Sequence, residues 1–186
     1  MIEEIKTVKI RPQPESSVRK HVIVVKVQHN VGVLSRITSL FAGRGYNIDS
    51  LTVGKTHEPS IARITIIVNG DERVVEQIIK QLRKLIETLK VRDITDTPHI
   101  ERELALIKIH TADSDARDEI MRLVDIFRAK VVDVARDSYT VEITGNQDKI
   151  DAFIDLVRPF GIKDVARTGV LAVIRESAQE KLKNEI

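Results

Sequence analysis

The chain has 186 residues, 42% of them hydrophobic, and its 30 basic and 28 acidic side chains leave a formal charge of +2. That length can bury a core as one large or two small domains, and the lack of cysteine excludes disulfides, thiolate metal sites and cysteine nucleophiles together. No apolar run approaches the roughly 20 residues that span a bilayer, and Glu3 and Glu4 break the order of a signal peptide, so no membrane partner and a cytoplasmic location are expected.

Residues 1–19 mix short apolar steps with Pro12, Pro14 and Glu15-Ser16-Ser17, which reads as an N-terminal arm. Val22 to Val27 then form a β-branched strand, bounded by Gln28-His29-Asn30. After Gly32 the apolar positions Val33, Leu34, Ile37, Leu40 and Phe41 fall at helical spacing, and Gly43 and Gly45 stop the helix. The free N–H groups of that helix start suit a carboxylate or phosphate, although such a unit is more often a plain structural connection. An alternating segment, Asn47 to Val53, leads through a turn with Pro59 to a β-rich run, Ile61 to Val68. Asn69-Gly70-Asp71 turns into a helix whose apolar positions extend from Val74 to Leu89, and a short strand over Lys90 to Thr95 ends before Pro98.

The second half repeats the order. A strand over Glu103 to His110 leads to a helix from Ser114 to Arg128, then strands at Val131 to Ala135 and Tyr139 to Ile143. Gly145 turns into a helix from Gln147 to Arg158, and one final apolar stretch runs from Ile162 to Ile174. Each half thus reads β-α-β-β-α-β, so the expected fold is α+β, two ferredoxin-like βαββαβ units with antiparallel sheets and helices on one face. The expected divisions are the arm at 1–19, units at 20–97 and 98–177, and a charged tail at 178–186. Apolar residues on both faces of the first strand, Val22 and Val24 against Val25 and Val27, require a cover on the face away from the helices. Pairing of sheets between two copies is the simplest candidate.

Signatures of catalysis are missing. The five histidines are scattered without ligand spacing, and neither a GxSxG elbow nor a GxxxxGK[ST] loop occurs. Carboxylates such as Glu76 sit beside lysines at i,i+4 spacing, as in Glu76 and Lys80, where their ordinary role is a surface pair. RNA-recognition modules share this element order, but they stack bases on rings where this chain has VIVVKV and IARITIIV. Charges of both signs alternate along the helices, which reads as a solvated surface and not a phosphate-binding face, so no nucleic-acid partner is expected.

The run HNVGVLSRITSLFAGRGYNIDSLTVG resembles the ACT domain, a ferredoxin-like amino-acid sensor, and more narrowly the acetolactate synthase (acetohydroxyacid synthase) small regulatory subunits. The motifs GVLSRI, LFAGRGYNIDSLTVG, ARITIIVNGDE and VEQIIKQLRKLI carry the match in the first half. ERELALIKI, DIFRAKVVDV, TVEITG, KIDAF and ARTGV carry it in the second, so the likeness spans about Val22 to Ile174. The resemblance implies a chain with no active site of its own. Its partner would be a catalytic large subunit holding thiamine diphosphate, FAD and Mg, which it activates and makes sensitive to valine, or to leucine or isoleucine. It implies a homodimer through the ACT domains with the effector at the pair interface. An ACT-type sensor serving another enzyme or a transcription circuit is the alternative.

By position, Gly32 matches the effector-loop glycine, and Asn47 with Ile48 matches the pair that starts the second strand. His29 stands where family members commonly carry asparagine, followed by Asn30, and an imidazole cannot reproduce a carboxamide's paired donor and acceptor. The expected effector contacts are therefore His29, Asn30, Val31, Gly32, Val33, Leu34, Asn47 and Ile48. Backbone donors around Val31 to Leu34 would take the carboxylate, the Asn47 oxygen the ammonium, and Val33, Leu34 and Ile48 the aliphatic side chain. On residue type alone, Gly32 is equally a loop glycine, Asn47 a turn former and Val33 a core residue.

Overall fold

The computed structural model describes residues 18–178; most of the predicted arm and nearly all of the charged tail lie outside them. In chain order the elements are β1 (Arg19–Gln28), α1 (Val33–Ala42), β2 (Ser50–Lys55), β3 (Ile61–Gly70), α2 (Glu72–Leu82) and β4 (Thr88–Asp93). Then follow β5 (His99–His110), α3 (Ser114–Ile126), β6 (Lys130–Ala135), β7 (Ser138–Gly145), α4 (Gln147–Val157), β8 (Ile162–Arg167) and β9 (Leu171–Ile174). The first sheet has the order β2-β3-β1-β4 and the second β6-β7-β5-β8, every pairing antiparallel. Among the described residues no helix is long and apolar enough to cross a membrane.

Alternation along β1 sends Ile23, Val25 and Val27 against Val33, Ile37 and Phe41 of α1 and Val75, Ile78 and Leu82 of α2. The second unit repeats this with Ala105, Ile107, Ile109, Val141 and Ile143 beneath Ile120, Val124, Ile150 and Phe153. Helices α2, α3 and α4 each begin on a side-chain cap, from Asp71, Asp113 and Asn146, which accept from the N–H groups of Val74, Ala116 and Lys149.

Two expectations are corrected. The second helix stops at Leu82 and not at Leu89: tight i→i+3 bonds from Lys84 to Gln81 and Leu85 to Leu82 close it, and Ile86 stands 90% exposed. Tertiary pairing overrides the local pattern, because the Gln28 N–H takes the Glu87 carbonyl at 2.9 Å to start β4. The apolar stretch from Ile162 to Ile174 is two strands, not one. β8 pairs with the second half of β5, whereas β9 leaves that sheet and pairs with His99 to Arg102.

That departure supplies the missing cover. Val170 and Ala172 lie on Val22, Val24, Ile67 and Ile94, so the far face of the first sheet is closed in part by the chain's own last strand. Each of these aliphatic side chains contributes about 1.5–3 kcal/mol by leaving water. Polar links fix the register: Val170 N–H donates to Ser50 Oγ at 3.0 Å, and Thr52 Oγ1 to the Thr168 carbonyl at 3.3 Å. Gly169 makes the turn at φ +79, and a Cβ there would come within 2.7 Å of Thr52 Oγ1 and 2.8 Å of Ser50 Oγ. Lys20 Nζ reaches Glu101 Oε2 at 3.0 Å across the same junction.

Gly169→Val combines a left-handed conformation forbidden to a β-branched residue with the loss of the Ser50 contact, so its Tm should fall by roughly 5–10 °C. An unchanged melt by circular dichroism would mean that β9 is not seated on the first sheet. Burial works against the charge on Glu101, but hydrogen bonds from His99 and Lys20 outweigh it and hold its carboxyl below the ordinary glutamate range. A depressed folded-state pKa stabilises above the unfolded value and loses that contribution as pH falls through the folded one. Glu101→Gln should therefore unfold at lower urea than the parent at pH 7, with the two midpoints converging as pH falls below the ordinary glutamate range.

Candidate functional site

The sharpest local feature is the start of α1. Gly32 occupies its N-cap at φ +84 with no side chain to accept from the first turn. Val33 N–H makes only a long bond, 3.4 Å, to the Asn30 carbonyl, and Arg36 N–H takes the Gly32 carbonyl at 3.0 Å. The N–H groups of Val31, Gly32, Leu34 and Ser35 have no acceptor among the described residues. They form a fixed set of donors at the positive end of a helix dipole, suited to a carboxylate. The loop beneath is anchored from both sides, by Gln28 N–H to the Glu87 carbonyl and by His29 N–H to the Ser60 carbonyl at 2.7 Å.

Arg36 was not singled out from the sequence. One turn along α1, its guanidinium lies 3.8 Å from where a Cβ on Gly32 would stand, and it pairs with Glu87 at 2.5 Å. Glu87 is only 7% exposed, so this cation is its counter-charge. The i,i+4 spacing of Gly32 and Arg36 was the available signal, since residues so spaced overlie each other on a helix. The loop thus presents backbone donors beside a half-exposed guanidinium.

The other expected contacts divide. Val33 is 5% exposed and belongs to the core with Ile37 and Phe41, which corrects its expected place in an aliphatic pocket. Val31, 98% exposed, and Leu34, 42% exposed, are the apolar side chains the loop offers. The His29 side chain is exposed, and Asn30 donates to Gln28 Oε1 at 3.2 Å. Asn47 donates to Asp49 Oδ1 at 3.0 Å, which leaves its own oxygen as an acceptor, and Ile48 packs partly on the first core.

Within one chain these residues do not meet. Gly32 precedes α1 and Asn47 follows it, so they stand at opposite ends of a ten-residue helix, about 15 Å apart at 1.5 Å per residue. The register agrees: Gln28, just before the loop, is level with Ile61, whereas Ser50, just after Asn47, is level with Ile67 at the other end of β3. α1 carries the chain from β1 across β3 to β2, which is an edge strand with Val53 43% exposed. A second copy placed antiparallel along that edge would set one Gly32 loop against the other chain's Asn47.

Comparisons with known proteins bear on both halves. Residues 23–90 match the family model described as an AHAS small subunit-like ACT domain, and residues 102–176 match the model for the small subunit of acetolactate synthase. The chain is 57% identical over 180 residues to the acetolactate synthase small subunit of Aquifex aeolicus, covering 95% of this chain and 94% of that one. It is 48% identical over 167 residues to that of Bacillus subtilis, covering 89% and 96%. The crystal structure of the small subunit from Thermotoga maritima superposes with a TM-score of 0.77 at 41% identity, covering 84% of this chain and 98% of that one. The two matched models, the relatives aligned almost end to end and the shared fold agree, and the chain belongs to the acetolactate synthase small-subunit family.

Proposed function

We propose that this chain is the regulatory partner of an acetolactate synthase catalytic subunit, raising that subunit's activity and making it sensitive to valine or a related branched-chain amino acid. The chemistry of synthesis, with thiamine diphosphate, FAD and Mg, belongs to the partner in this reading, and this chain performs no catalysis alone. The effector's carboxylate is received by the open N–H groups at the start of α1, with Arg36 close by. Its ammonium goes to the Asn47 oxygen, and its side chain to Leu34, Val31 and Ile48.

One observation carries the reading: the two halves of the site lie at opposite ends of α1, so a symmetric pair of chains completes what one chain cannot. An isologous contact along the β2 edge repeats the junction of Gly32 with the other copy's Asn47 twice and covers the exposed Val31 and Val53. Occupancy then favours one arrangement of the pair, and the preference reaches the catalytic partner as a coupling free energy, typically about 1–3 kcal/mol and reciprocal.

Gly32→Asp keeps a left-handed conformation that aspartate tolerates better than most residues, while its carboxylate takes the place of the effector's beside Arg36. In the reconstituted holoenzyme, valine inhibition should weaken at least tenfold with maximal activation retained, and a parental inhibition curve would refute the effector site. A failure to capture any thiamine-dependent partner would instead favour a sensor serving another enzyme. Arg36→Ala should weaken inhibition and also cost about 1–3 kcal/mol in a urea melt, because buried Glu87 loses its counter-charge. Adding Glu87→Gln should restore most of the stability but not the inhibition.

A further inference from the structure

On the face of the first sheet turned away from α1 and α2, cations stand in a row. Arg63 on β3 and Lys90 on β4 are each directly opposite Lys26 on β1, and Arg92 is opposite Val24 one step along the same face. Like charges opposed across strands destabilise a sheet, and here none of the four has a carboxylate partner among the described residues. Together with Val24, Val173 and Ile174 they line a cavity of about 260 Å³, roofed by the end of β9. Arg63 is held in place by its Nη2 bond to the Ala172 carbonyl at 2.5 Å, while its Nε is buried without an acceptor. Burial with no counter-charge pulls its guanidinium below the ordinary arginine value. A solvated, charge-balanced surface was the expectation from sequence; three strands bring together what 66 positions of sequence, from Lys26 to Arg92, keep apart.

We propose that this cavity binds a small oxyanion of the phosphate or polyphosphate class at the junction of the first sheet with β9. Two or more negative charges answer four cations better than a monocarboxylate does, and the planar guanidinium groups of Arg63 and Arg92 suit the paired oxygens of a phosphoryl group. The walls come from both halves of the chain, so a bound anion ties β1, β3 and β4 to the strand that covers them. The site lies across the sheet from the Gly32 loop, so neither proposal depends on the other.

The test is a titration of the full chain with inorganic pyrophosphate, and separately with inorganic phosphate, at ionic strength held constant with sodium chloride. Pyrophosphate at a hundred times its Kd should raise Tm by roughly 5–10 °C, saturably, with about one anion bound per chain by calorimetry. Lys90→Gln and Lys26→Gln should each melt at or above the parent temperature without anion, since an opposed pair of like charges is removed, yet bind pyrophosphate at least tenfold more weakly. An identical response to matched chloride, or an undiminished pyrophosphate response in both variants, would overturn the proposal.

Discussion

A four-stranded sheet with helices on one side must still hide the apolar residues of its other side, and in this chain the solution is a strand borrowed from the far end of the sequence. Val170 and Ala172 lie on Val22, Val24 and Ile67. Without them, aliphatic side chains worth about 1.5–3 kcal/mol each would face water. The relation between the two units follows from this contact. They are not two beads on a linker, because the covering strand is itself hydrogen-bonded to His99–Arg102 of the second unit.

The same arrangement separates two kinds of surface. The helical side of the first unit carries the open helix start, where Gly32 leaves donors unspent and Arg36 is paired with the buried Glu87. The opposite side carries the β9 cover and the cationic row beside it. A change at either surface acts on one four-stranded sheet whose central strands, β1 and β3, have Val or Ile on both faces, so the two are physically connected without any residue in common.

The repeated β-α-β-β-α-β order was legible because its signals are local: β-branched runs, helical spacing and turn chemistry at Asn69-Gly70-Asp71. Gly43 does cap α1, and Asp71 does cap α2. What escaped were decisions made between segments. No glycine or proline marks the end of α2 at Leu82, because the stop is imposed when Glu87 pairs with Gln28. The stretch from Ile162 to Ile174 reads as one apolar element, although Gly169 sends its end to a different partner. In the candidate site, Gly32 and Asn47 are placed by local rules, Arg36 joins them only through the helical turn that lays it over Gly32, and Val33 belongs to the core. The cations at 26, 63, 90 and 92 carry no pattern along the chain and form one only by strand register.

β5 contributes a mechanical consequence. Its twelve residues run without a break from the ledge that holds β9 to the centre of the second sheet, a span of about 40 Å at 3.3 Å per residue. Because β9 is hydrogen-bonded to one end of that strand and β7 and β8 to the other, the cover of the first sheet and the centre of the second sheet are held on one continuous strand and not on separate segments joined by a loop.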